Sequence, residues 1–234
     1  MYDILGIGNA VTDILAEVDS NFISKHDLSP GTMKLVDENF IRSLLEGLET
    51  NKVLAGGSVA NTLSTISILG GKCAFIGSRK NDKYGKLFTD SMSLKNIKLI
   101  NKENSGGKAS SVCLVLITPD GERTMCTYLG ASNDLNNNDI QEDALKKTKL
   151  VYLEGYLFDL QEAKDIFYYI VKNASNYGYK VALSLSDSFC VERHREDFLK
   201  LINNKISILF SNTNEIETLY ECERKKAMGK ATRT

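Results

Sequence analysis

Five short apolar runs, at residues 3–7, 73–76, 150–153, 180–185 and 206–210, are separated by longer stretches with helical or polar character. This alternation limits the fold more than any other feature of the chain. A strand that is apolar along its length needs cover on both faces, and the segments between successive runs are long enough to cross over as helices. Helical spacing is clearest in Phe40, Ile41, Leu44, Leu45 and Leu48, in Leu63, Ile66 and Leu69, and in Ala163, Ile166, Ile170 and Ala174. The expectation is an α/β fold with a mostly parallel sheet flanked by helices. At 234 residues and 42% hydrophobic, the chain has material for one sizeable core.

Two stretches break the rhythm. Residues 14–18 with 33–36, and residues 110–117 with 124–128, read as strand pairs. The second pair is joined by Thr118-Pro119-Asp120-Gly121-Glu122-Arg123, whose proline and glycine make a hairpin turn. Strand pairs that interrupt an α/β sheet predict a small β-rich lid over one edge. In the polar cluster at 133–139, Asn138 or Asp139 is expected to cap the next helix. The body of the domain is expected over residues 1–222. Residues 223–234 are basic, lack aliphatic periodicity and read as a solvated tail.

Lys plus Arg number 29 and Asp plus Glu 30, for a formal net charge of −1, so no global field argues for nucleic acid or an anionic membrane. The five cysteines are odd in number, widely separated and without a CxxC pair, which argues against a disulfide framework or a zinc ribbon. The N-terminal segment lacks a basic region followed by a long apolar stretch, and no segment has the ~18 apolar residues of a membrane span. A cytoplasmic protein is expected. His26 and His194 are isolated, and no direct metal site is assigned.

Gly6-Ile7-Gly8-Asn9-Ala10-Val11 follows a strand, but the position of a third dinucleotide-binding glycine holds Val11, and Thr12-Asp13-Ile14-Leu15 continues as a strand. A nicotinamide-dependent Rossmann oxidoreductase is therefore disfavoured. Asp13 is instead displayed just after a strand-to-strand turn, near Asn9. A carboxylate there suits vicinal hydroxyls, because it accepts two charge-assisted hydrogen bonds; the bland alternative is a local Asx turn. Gly56-Gly57-Ser58 precedes an apolar helix, with Asn61 in its first turn. Two glycines admit close approach of a ligand and Ser58 can cap the helix, although a Gly-Gly before a helix is also a common structural device.

Taken together, Asp13, Gly56-Gly57-x-x-x-Asn61, Gly70-Gly71, and Gly77 followed by Asn81-Asp82-x-x-Gly85 resemble in order and spacing the N-terminal portion of the PfkB (ribokinase-like) carbohydrate and nucleoside kinases. Further likeness lies in Asp120-Gly121-Glu122-Arg123-Thr124, Tyr128-Leu129-Gly130-Ala131, Glu154-Gly155-Tyr156-Leu157, Leu185-Ser186-Asp187-Ser188-Phe189-Cys190 and Ser211-Asn212-Thr213-Asn214-Glu215. The pattern runs from about Tyr2 to about Cys222 and looks most like the bacterial adenosine-kinase-like branch. The resemblance implies ATP-dependent phosphorylation of a hydroxymethyl group on a sugar or nucleoside, with ATP and Mg2+ as cofactors. It implies that Asp13 binds acceptor hydroxyls, that Gly56, Gly57 and Asn61 line the same pocket, and that Asn9 supports it. It implies that Asn212 and Glu215 organise magnesium and phosphate through water, with Asn214 and Glu217 offering the same spacing two residues on. Either asparagine can also be a helix cap.

One family element is not in the sequence. These kinases carry a Gly-Ala-Gly-Asp type segment whose amides stabilise developing phosphate charge and whose aspartate is the general base. No such segment occurs here, so no catalytic residue is assigned, and the chain reads as a truncated kinase that lacks the C-terminal part of the fold. The contrasting class is a non-catalytic remnant that binds an acceptor or a partner, with a homodimer through the lid as one possible assembly.

Overall fold

The computed structural model describes residues 1–204 and 206–232. Among them the strands are β1 (Tyr2–Ile7), β2 (Val11–Glu17), β3 (Met33–Leu35), β4 (Lys52–Gly56), β5 (Cys73–Ile76), β6 (Lys98–Leu99), β7 (Ser111–Ile117), β8 (Arg123–Tyr128), β9 (Thr148–Glu154), β10 (Lys180–Ser184) and β11 (Ile208–Phe210). The helices are α1 (Ser20–Lys25), α2 (Glu38–Glu46), α3 (Ser58–Ile68), α4 (Lys83–Leu94), α5 (Glu142–Lys146), α6 (Gln161–Tyr177), α7 (Ser188–Asn203), α8 (Thr213–Tyr220) and α9 (Arg224–Ala231). None is long and apolar enough to cross a membrane.

The apolar runs form one six-stranded sheet in the order β11-β10-β9-β1-β5-β6, with every neighbouring pair parallel. On one face Leu5, Ile7, Val151, Leu153, Val181 and Leu183 pack under α6, α7 and α8 through Ile166, Phe167, Ile170, Phe198, Leu201 and Leu219. On the other, Ile4, Phe75, Tyr152 and Ala182 meet Val59, Ala60 and Leu63 of α3 and Phe88 and Met92 of α4. Burial on both faces is what the unbroken apolar runs required. Because all six strands are parallel, their carboxyl ends share one edge of the sheet.

The lid is a second sheet of five strands in the order β3-β8-β7-β2-β4. Its pairing differs from the sequence expectation. Residues 33–35 do not pair with β2; β3 runs parallel to β8, while β2 lies between β7 and an unforeseen strand, β4, joined in antiparallel register with Val11 opposite Gly56. Side-chain alternation gives this sheet two unlike faces. Ile14, Ala16, Val112, Leu114, Leu116 and Cys126 are buried beneath Ile23 of α1 and Ile41 and Leu44 of α2. The opposite face carries Val11, Cys113 and Val115, flanked by Leu15, Ile117 and Met125. We call it the open face.

Local signals account for most helix starts. Asp19, Asp37, Asp82 and Asp187 each accept the backbone N–H three residues on, as N-caps do. Asp82 also accepts the Ser110 amide at 2.9 Å, tying the start of α4 to the base of β7. Neither Asn138 nor Asp139 caps the next helix: α5 begins after Gln141 without a side-chain cap, and Asn136 instead opens a short 3-10 turn at Asn137–Asp139 with Asp139 reciprocating. The segment expected as a solvated tail forms α9 over its described part, and its last two residues lie outside the described ones. The Arg224 amide donates to Glu217, Ala227 is fully buried, and Lys230 reaches the Tyr220 carbonyl. One small residue facing α8 was enough, and a search for aliphatic periodicity does not detect it.

The two sheets differ in cover, and this has a kinetic consequence. Val181, Ala182 and Leu183 in β10 are shielded on both faces, whereas the β7–β8 hairpin has helices packed over one face, and Met125, Thr127 and Tyr128 of β8 are only partly buried. Native-state hydrogen exchange should therefore show β8 amides opening at lower free energy than those of β10. Equal protection of the two strands would show that the lid is not a separately opening unit.

Candidate acceptor site

Asp13 sits in β2 between Leu54 of β4 and Cys113 of β7, on the open face of the lid. Its carboxyl group lies directly over the backbone of Gly56, and a Cβ at position 56 would fall inside the Asp13 carboxyl. Only glycine leaves the room. At Gly57 the backbone takes φ 90°, ψ 144°, and a Cβ there would come 2.7 Å from the Asn9 carbonyl oxygen. The Gly-Gly pair is thus demanded by the close approach of β4 to the segment that carries Asn9 and Asp13.

No described amide or side chain donates to the Asp13 carboxylate, so the Asx turn does not form. Burial without a compensating donor pushes its pKa from the ordinary 3.8 up to about 6. Beside it, the Cys113 thiol is pushed up to about 12, chiefly by burial, and accepts a bond from Thr127 at 3.3 Å. A carboxylate that is largely buried, lacks protein donors and faces apolar side chains is an acceptor of hydrogen bonds in search of donors.

The start of α3 departs from expectation. Its N-cap is Gly57, with no side-chain cap, and Ser58 donates its hydroxyl outward to Glu154. Asn61 lies in the first turn, with its amide donating to the Gly57 carbonyl at 3.0 Å and its side chain exposed. Asn9 is buried, and its side-chain nitrogen donates to Glu154 Oε2 at 2.9 Å. The structure therefore brings Asp13, Gly56 and Gly57 into contact, leaves Asn61 one turn away, and places Asn9 beneath them with its side-chain donor engaged.

Glu154 closes β9 and is only 1% exposed. Sequence reasoning quoted it within a motif and gave it no role. The signal was a carboxylate ending an otherwise apolar strand, with Gly155 behind it; its partners, 96 and 145 residues away, were not readable from local pattern.

Asn212 and Glu215 lie at the carboxyl end of β11, on the same edge of the main sheet. They form a capping box: Asn212 Oδ1 accepts the Glu215 amide at 2.8 Å, and Glu215 accepts from the Asn212 backbone and side chain at 3.0 and 2.8 Å. Burial pushes the Glu215 carboxyl above its ordinary value. Asn214 is exposed inside α8, and Glu217 is taken up by the Arg224 amide. Among the described residues no three His, Cys, Asp or Glu side chains converge on a metal position.

Comparison with known proteins agrees with this geometry. The model of the pfkB family carbohydrate kinases matches residues 34–232. The guanosine-inosine kinase of Escherichia coli K12 is 26% identical over 233 residues, covering 92% of this chain and 52% of that protein. The adenosine kinase of Saccharomyces cerevisiae is 25% identical, with 90% and 64% covered. The crystal structure of adenosine kinase from Sinorhizobium meliloti superposes with a TM-score of 0.90 at 34% identity, covering 99% of this chain and 72% of that one. The chain thus has the ribokinase-like α/β fold and spans about half the length of the guanosine-inosine kinases it matches. With the family model matched over most of its length, it belongs to the pfkB family of carbohydrate kinases.

Proposed function

We propose that this chain supplies the acceptor-binding part of an ATP-dependent phosphotransferase acting on the hydroxymethyl group of a nucleoside, adenosine-like in preference to a simple sugar. The observation that carries the reading is the Asp13 carboxylate, half-buried over Gly56 without a described donor and set on a largely apolar lid face. Vicinal ribose hydroxyls supply two donors to one carboxylate. Leu15, Ile117 and Met125, only partly buried around Val11, Cys113 and Val115, supply the apolar surface that a purine ring covers and a bare sugar does not. The relatives named guanosine-inosine and adenosine kinase support the same class.

ATP and Mg2+ are the cofactors this reading calls for. Mg2+ neutralises phosphate charge when bound, and Glu215 with Asn212 suits a hydrated ion better than direct ligation, because the pair already bond each other. The part of this chain is to bind and orient. Asp13 fixes the ribose, the lid excludes water from the hydroxymethyl group, and the reacting oxygen is held for in-line attack. The sequence contains no Gly-Ala-Gly-Asp segment to take the proton. That feature favours binding without transfer by this chain, the second reading.

Calorimetry separates these statements. Adenosine should bind the 234-residue chain about tenfold or more tightly than ribose, given ~25 cal/mol per Å2 of apolar surface covered. Asp13→Ala should cost ~1.5 to 3 kcal/mol of that affinity. Equal affinity for adenosine and ribose, or for parent and variant, sinks the assignment. In the same preparation, ATP with adenosine should give no measurable turnover, since proton transfer alone supplies ~10² to 10⁴-fold. Robust turnover would overturn the binding-only reading.

The raised Asp13 pKa fixes the sign of a pH effect. Its folded value of about 6 exceeds the ordinary 3.8, so the stability that protonated Asp13 contributes to the free protein is complete below about pH 4 and is lost as pH rises through 6. Donors from an acceptor favour the ionised form. Adenosine affinity should accordingly be flat above about pH 7 and fall by about tenfold per unit well below pH 6, a dependence that Asp13→Asn should abolish. A flat profile in the parent would show that the ionised carboxylate is not what binds.

A further inference from the structure

We propose that Glu154 is the positioning residue of the acceptor site: from the end of β9 its carboxylate holds both chain segments that pass between the main sheet and β2 and β4 of the lid. The inference rests on Asp13 being the acceptor anchor. Residues 8–10 carry the chain from β1 into β2, and Gly57 carries it from β4 into α3. Glu154 meets each of them with a different oxygen. Oε2 accepts from the Asn9 amide at 2.6 Å and the Asn9 side chain at 2.9 Å; Oε1 accepts from the Ser58 hydroxyl. The Val59 amide, in the first turn of α3, is a further donor. A Cβ on Gly8 would come within 3.1 Å of Oε2, so the turn is packed onto the carboxylate as well as bonded to it.

The division of labour between the oxygens is the argument for positioning. The chain enters the lid from β1 into β2 and leaves it from β4 into α3 at neighbouring points, and Asp13 must lie over Gly56 across the gap between them. A carboxylate with two equivalent accepting ends locks both departures to one atom group in the main sheet. A neutral amide of the same shape can still accept from Asn9 and donate to the Ser58 hydroxyl, but it lacks the charge that strengthens the bonds from both sides. Beside the amides that open α3, negative charge is also favourably placed. Both Glu154 oxygens are taken up by Asn9 and Ser58, so its effect is assigned to the spacing of Asp13 and Gly56.

The test uses the intact 234-residue chain, 15N-labelled, with adenosine as probe. In Glu154→Gln, the amide resonances of Asp13, Leu54 and Gly56 should shift along with those of Asn9 and Val59, and adenosine affinity should fall about tenfold, while unfolding stays cooperative. The control Leu183→Ala, in the core of the same sheet, should lower stability yet leave those resonances and the affinity within about twofold of the parent. Shifts confined to Asn9, Ser58 and Val59, or adenosine affinity equal to the parent's, overturn the proposal. If the parent binds no adenosine, the nucleoside reading fails and the resonances of Asp13 and Gly56 alone decide whether Glu154 positions them. If Glu154→Gln does not fold, Ser58→Ala removes one donor and is read by the same criteria, with a loss of about threefold expected and none contradicting.

Discussion

A carboxyl group resting on bare backbone organises this molecule. Asp13 can occupy its place only because position 56 has no side chain, and β4 can reach that place only because Gly57 turns with a positive φ toward α3. From this contact follow the entry angle of α3, the antiparallel seam between β2 and β4, and the side of the lid on which charge appears. The interaction is unfavourable in the free protein. A raised pKa of about 6 corresponds to ~3 kcal/mol of lost solvation that no protein donor offsets. Such a cost marks a site whose partner comes from outside.

The proposed site takes its character from the cover of the lid. α1 and α2 bury one face of the second sheet, so the other face remains as a half-open apolar surface around the anchoring carboxylate. A ligand with hydroxyls at one end and a flat ring at the other satisfies both parts. The main sheet contributes through its parallel strands, whose carboxyl ends bring Glu154, Asn9 and the Asn212–Glu215 capping box to one edge, the usual place for ligands in open α/β sheets. The Asn9–Glu154 pair and the Asn212–Glu215 capping box are thus separated along that edge.

The sequence was legible where structure is written locally. Runs such as 180–185 are apolar throughout because both faces are covered, and their strands fell where expected. The glycine pair and Asp13 were legible because their spacing carries a steric requirement. Other features were hidden for physical reasons. β4, with Lys52 and Val53 exposed and glycines at its end, has no alternation to announce a strand. The partner of β3 was misassigned because strands close in sequence need not pair, and β8 lies some ninety residues away. Ser58 looked like a cap, but the hydroxyl found a buried carboxylate 96 residues on, and long-range polar partners leave no mark in a linear pattern. Helix α9 packs through small residues, Ala227 with Ala231 beside it, and through polar ties of Arg224 and Lys230, too little for aliphatic periodicity to reveal.

The central claim is that Asp13 recognises vicinal hydroxyls. It is tested most directly by comparing the affinities of adenosine and 2′,3′-dideoxyadenosine for the parent chain and for Asp13→Ala, which isolates the coupling between the carboxylate and the hydroxyls. The parent should lose about tenfold or more when the hydroxyls are removed, and Asp13→Ala should lose less than about twofold. Equal losses in the two proteins would mean that the hydroxyls are read elsewhere and that the buried carboxylate has another purpose.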